Sequence, residues 1–191
     1  MYSNTDSLSP RSSETNLLDR DILEQAFRAT GRHFEGDADV ELLVVGGAAL
    51  ALTCLPLGRT TLDCDVMECE PEAAEKALVR AAEAAGRELG LPHDWLNPHV
   101  QWHRDSLPDG WRERRRLVGV YGRLRIFAAD RLDLIVMKLV AGRPQDLEDV
   151  AALLKAADGV FIRGCLTELS KKSSVAQEIP EAFERLGALE P

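Results

Sequence analysis

The strongest constraint on how this chain can fold is an apolar run, Val40-Glu41-Leu42-Leu43-Val44-Val45, that stops at Gly46-Gly47 and gives way to Ala48-Ala49-Leu50-Ala51-Leu52. The run reads as a strand, and the small residues after the glycines read as a short helix. The first turn of a helix has no internal acceptors for its N–H groups and carries the positive end of the dipole. Strand, diglycine and helix start therefore make a place where backbone N–H groups can meet a phosphate. Further on, Thr60-Thr61-Leu62-Asp63-Cys64-Asp65-Val66-Met67 alternates like a second strand. Side chains two apart on a strand share a face, so Asp63 and Asp65 converge while Cys64 turns into the core. Two carboxylates held that close repel unless a cation lies between them, and hard oxygen ligands suit Mg²⁺ or Mn²⁺.

A chain of 191 residues suits one domain with a small appendage. Aromatic residues make up only 5%, so the core must be built mostly from Leu, Val and Ala, which favours helices packed on a sheet. The formal net charge of −9 gives no general reason to bind nucleic acid. One segment reverses that average: Trp111-Arg112-Glu113-Arg114-Arg115-Arg116, with Arg104, Arg123 and Arg125 nearby. It reads either as a charged strand edge that blocks unwanted pairing or as a surface for a triphosphate or nucleic-acid backbone. The four cysteines (Cys54, Cys64, Cys69, Cys165) have no paired spacing, and no apolar run is long enough to span a membrane. A cytoplasmic protein with reduced thiols is the expectation.

Residues 1–15 are polar and lack apolar periodicity, and are expected to be a disordered tail. A helix is expected from Leu17 to about Phe34, with Gly31 as its stop, and another from Pro71 to about Glu88. Residues Leu91–Pro98 read as loop. His99 and His103 have the spacing of a shared metal on a helix face, but Pro98 precedes them and no third ligand follows, so no zinc is placed there. Leu117–Tyr121 and Leu124–Phe127 read as two strands joined at Gly122. Asp130 caps a helix Arg131–Ala141 that Gly142 ends, and Pro144 opens the next, to about Ala157. The expected organisation is a domain over residues 16–158 and a helical C-terminal extension over 159–191.

A phosphate cradle beside paired carboxylates is equipment for nucleotidyl transfer, and at this point the sequence resembles the nucleotidyltransferase superfamily. Its pattern of an apolar residue, G-[GS], a spacer and D-h-[DE]-h is met by Val45-Gly46-Gly47 and Asp63-Cys64-Asp65-Val66. A second block, Ile135-Val136-Met137-Lys138-Leu139-Val140-Ala141-Gly142-Arg143-Pro144-Gln145-Asp146-Leu147-Glu148-Asp149-Val150, resembles the K-L-x-A…R…D-L-x-D-[LV] segment of the abortive-infection toxin branch, the enzymes of type IV toxin–antitoxin systems. The resemblance implies an α/β (α+β) fold with a small mixed sheet flanked by helices. It also implies that Gly46 and Gly47 cradle the phosphates of a nucleoside triphosphate, that Asp63 and Asp65 hold Mg²⁺ or Mn²⁺, and that Lys138 contacts the triphosphate. Asp146 would act as base or third acid, with Asp149 as its rival, and Arg59 and Thr61 match the R-x-T that leads into the acids. The acceptor would be a hydroxyl, such as an RNA or tRNA 3′ end, and a cognate antitoxin would be the partner. Two departures stand out: Ala48 replaces the Ser or Thr of many relatives, and neither Leu117–Tyr121 nor Leu124–Phe127 carries a third acid. They favour a second reading, a nucleotide-binding pseudoenzyme or partner-binding protein of the same fold. A sugar-nucleotide glycosyltransferase, which also uses D-x-D, ranks last for a chain this short.

Overall fold

The computed structural model describes residues 17–54, 58, 60–98 and 100–189, with only the backbone of 101–103. The tail, Arg59 and His99 therefore lie outside the described residues, as does the side chain of His103. Five strands form one mixed sheet in the order β3-β2-β1-β5-β4: β1 Val40–Val44, β2 Cys64–Glu70, β3 Leu96–Asn97, β4 Arg116–Tyr121 and β5 Leu124–Ala128. β1 runs antiparallel to β2 and parallel to β5; β3 joins β2 in parallel, and β4 closes the far edge as a hairpin with β5. Register explains the two faces. Val40 pairs with Leu124 and Leu42 with Ile126, all fully buried, while Glu41 pairs with Arg125 and with Glu70 on the opposite, charged face.

Helix α1 (Arg20–His33) begins where the Asp19 carboxylate accepts from the Ile22 N–H at 2.8 Å. It packs against α3 (Glu75–Leu89), and Leu23, Ala26, Phe27, Leu78 and Ala82 enter the core from these two helices. Gly31 does not stop α1 as expected. It lies inside the helix, where a Cβ would collide with the Tyr121 carbonyl, so glycine there permits the close approach of α1 to the end of β4. Pro71 likewise heads a 3-10 turn, Glu72–Ala74, and α3 proper starts at Glu75.

Helix α2 (Gly46–Thr53) follows β1 directly, and a four-residue α4 (Trp111–Arg114) precedes β4. Helix α5 (Arg131–Ala141) is capped by Asp130 and ends at Gly142 in the left-handed conformation, φ +63°, as the sequence indicated. Helix α6 (Pro144–Leu153) stops four residues before the expected Ala157. The reason is Asp158, whose carboxylate accepts from the Lys155 N–H at 2.8 Å and pairs with Arg131, fixing a turn in place of another helical one. Helices α7 (Gly159–Leu169) and α8 (Ile179–Leu189) pack on α5, and their Ile162, Leu166, Leu169, Ala182 and Leu186 belong to the same buried cluster as the sheet. Among the described residues no helix is long and apolar enough to cross a membrane.

Candidate active site

The acid-bearing strand starts later than its alternation suggested. β2 begins at Cys64, so Asp63 stands at its threshold and Asp65 within it, while Thr61 makes an isolated antiparallel bridge with Leu18. The carboxylates nevertheless line one cavity of about 480 Å³, shared with Val45, Gly46, Lys138, Arg143 and Asp146. Cys64, between them, is fully buried on the other face. Burial pushes its thiol well above the usual range, and the charges of Asp65 and Asp63 add to the effect.

Gly46 opens α2 with φ +63°, a conformation that favours glycine, and a Cβ there would lie 3.2 Å from the Asp65 Oδ2. The helix start and the carboxylate are thus in near contact. Val45 supplies no side-chain cap to α2, and its own N–H donates to the Asp65 carbonyl at 3.0 Å. Gly47 faces elsewhere: a Cβ on it would meet the Thr61 Oγ1 at 2.8 Å. Thr61 therefore packs under the diglycine turn, which gives that residue a physical role in the approach to the acids.

From the other wall come α5 and α6. The break at Gly142 and Pro144 folds α6 back along α5, as the sequence implied, and Lys138 meets Asp146 Oδ1 at 2.7 Å and Asp149 Oδ2 at 2.8 Å. All three are buried. Arg143 donates from Nε to Asp146 Oδ2 at 2.7 Å. Burial pushes the Asp146 carboxyl upward, but the hydrogen bonds from Arg143 and Lys138 outweigh it and hold the group below the usual carboxylate range. Asp146 lines the cavity together with Asp63 and Asp65, while Asp149 is not among its lining residues and pairs with Lys138.

One site residue was illegible in the sequence. Residues Leu91–Pro98 read as loop, yet Trp95 is fully buried, its indole Nε1 donating to the Ala82 carbonyl at 2.8 Å, and it pins a two-residue strand against β2. That strand pairs Asn97 with Asp65, and the Asn97 amide donates to Asp65 Oδ1 at 3.0 Å. An amide thus stands next to the acid pair on the neighbouring strand. Among the described residues no group of three or more His, Cys, Asp or Glu converges as metal ligands. The donor set still fits Mg²⁺ or Mn²⁺, because Mg²⁺ is commonly held by one or two carboxylates and completed by water and substrate phosphates.

The arginine-rich segment serves the protein internally. Arg104 and Arg112 pair with the buried Glu68, Arg114 with the buried Asp133 at 2.6 Å, Arg115 with Glu41 at 2.6 Å and Arg116 with Asp130 at 2.9 Å. Arg115 also lies over the Phe127 ring, 3.9 Å from its centroid. Of the two readings of this segment, the charged strand edge holds for Arg116, which opens the edge strand β4 and is largely exposed, while its neighbours are drawn into ion pairs with Glu68, Asp133 and Glu41.

A small mixed sheet with a glycine-led helix start, facing two carboxylates on the neighbouring strand and backed by helices, defines a nucleotidyltransferase-like fold. A family model described as "Nucleotidyltransferase of unknown function (DUF6036)" matches residues 23–178, and the chain belongs to that family. No curated protein and no solved structure matches the chain.

Proposed function

We propose that this protein is a metal-dependent enzyme that moves a nucleoside monophosphate from a nucleoside triphosphate to a hydroxyl. The observation that carries the reading is that Gly46, Asp63, Asp65, Lys138 and Asp146, drawn from four parts of the chain, line one cavity. In this reading the first-turn N–H groups of α2, led by Gly46 and Gly47, bind phosphate oxygens, Thr61 packs under that turn, and Arg59, outside the described residues, is a further nucleotide contact. Asp63 and Asp65 would hold Mg²⁺ or Mn²⁺, which would supply positive charge against the negative charge that develops as pyrophosphate leaves. Asp146, ionised at neutral pH, accepts the proton of the acceptor hydroxyl, and Lys138 fixes the Asp146 carboxylate in place. The resemblance to the abortive-infection toxin branch supports an RNA acceptor, a tRNA 3′ end, and a cognate antitoxin as partner; the net charge of −9 does not argue for RNA by itself.

The test is incubation with each labelled triphosphate and total RNA, with and without Mg²⁺ or Mn²⁺. Asp63→Asn is expected to lower label transfer at least ~100-fold while leaving the melting temperature unchanged or raised, since it removes a repelling charge. A variant of near-normal activity would remove the metal-site assignment. The pseudoenzyme reading keeps one specific observation on its side, the amide of Asn97 beside Asp65. It predicts metal-supported triphosphate binding with label transferred to nothing.

A further inference from the structure

Among the described residues two cations line the cavity, and the fold treats them differently. The Lys138 side chain is only 8% exposed, and its ammonium lies between two buried carboxylates. Its charge is more than cancelled, and a shift toward a phosphate would take a buried cation away from both Asp146 and Asp149. The Arg143 side chain is 77% exposed. It sits at the corner where Gly142 turns the chain into α6, and donates to Asp146 through Nε and, at 3.4 Å, through Nη2. A guanidinium carries five N–H donors in a planar fork, so it has more to offer a second anion. Arg143 lines the same cavity as Asp63 and Asp65, and Asp146 first, with smaller contributions from Asp65 and Asp63, strengthens its hold on its proton.

We propose that Arg143 grips the terminal phosphates of the bound triphosphate, and that Lys138 is a strut tying α5 to α6. The proposal rests on the nucleotidyl-transfer reading and assigns the charge against the leaving pyrophosphate to the exposed arginine. Asp146 then gains a second use: it tethers the guanidinium at the mouth of the cavity, and releases it when phosphate oxygens arrive.

The experiment is calorimetric binding of nucleoside tri-, di- and monophosphates with Mn²⁺ to the wild type, Arg143→Gln and Lys138→Met. The wild type should favour triphosphate over monophosphate. Arg143→Gln should weaken triphosphate binding at least about tenfold, leave monophosphate binding unchanged, and melt within about 4 °C of the wild type, because Arg143 is itself exposed and the buried Asp146 keeps Lys138 as its partner. Lys138→Met should melt clearly lower and, as far as it folds, keep the preference for triphosphate. If Arg143→Gln retains that preference, the assignment is wrong, whatever the lysine variant does. If the wild type itself binds no triphosphate with metal, it is the nucleotidyl-transfer reading that falls.

Discussion

At the scale of single residues, the two glycines of the diglycine turn serve different ends. Gly46 adopts a backbone conformation that side chains rarely tolerate and lets the Asp65 carboxylate come against the helix start. Gly47 makes room for Thr61. A valine at position 47 is therefore expected to act first on stability, at about 1–3 kcal/mol for overpacking, with part of the loss recovered in the double variant Gly47→Val/Thr61→Ala. Urea unfolding of the four proteins measures this; equal stability of Gly47→Val and wild type would contradict the contact. Asp146 makes a prediction about pH. Its folded pKa lies below the ordinary value, so the unfolded chain binds the proton more tightly. The resulting stabilisation is complete above the ordinary carboxylate pKa of about 4 and is lost as pH falls from there through the folded value. Asp158, held down first by its hydrogen bonds from Arg131, contributes in the same direction. Melting temperature against pH should thus fall less steeply below pH ~4 in Asp146→Asn than in the wild type, and parallel curves would count against the hydrogen bonds from Arg143 and Lys138 to Asp146.

At the scale of elements, the site is an assembly of ends and corners. The N-terminus of α2, the start of β2, a two-residue strand and the α5–α6 corner each contribute at a terminus, where side chains are not committed to a regular packing face. Signals of that kind differ in legibility. The α5–α6 corner was plain in the sequence because Asp130, Gly142 and Pro144 are local punctuation, each with its own backbone chemistry. β3 was invisible because two residues carry no periodicity. Its existence depends on where Trp95 finds the Ala82 carbonyl, on a helix from an earlier part of the chain. The onset of β2 was misread for a related reason: Thr61 has strand-like alternation, but its pairing partner is Leu18 rather than β1.

At the scale of the whole molecule, the C-terminal helices are joined to the α5–α6 wall of the cavity. Arg185 on α8 donates to the Leu139 and Val140 carbonyls at 2.8 and 3.3 Å, at the end of α5, and a Cβ at Gly142 would collide with its guanidinium. A cation at that position satisfies carbonyls left without helical partners and meets the negative end of the dipole. Arg185→Ala should cost about 1–2 kcal/mol in denaturant unfolding. If the loss is negligible, α8 rests on its apolar contacts alone. The helix lies beyond residue 178, where the family match ends, so this brace is an addition to the matched segment. Charge is arranged on the same scale. An acidic protein of net −9 carries a run of arginines, and the fold meets them with Glu41, Glu68, Asp130 and Asp133 from strands and helices far along the chain.

The sequence by itself determined what short-range chemistry dictates: the strand–diglycine–helix unit, the convergence of Asp63 and Asp65, the caps and break of α5 and α6, and through these the class of fold. Such features are set by backbone sterics and by periods of two or a few residues, which any stretch of chain displays before it folds. Only the tertiary structure decided that Asn97 stands beside Asp65, that Lys138 is locked between two carboxylates while Arg143 reaches outward, and that the arginine run is neutralised from within. Each of these depends on which distant residue arrives as neighbour, and burial then decides whether a charge is available to a ligand or consumed by the protein. No local pattern records that outcome.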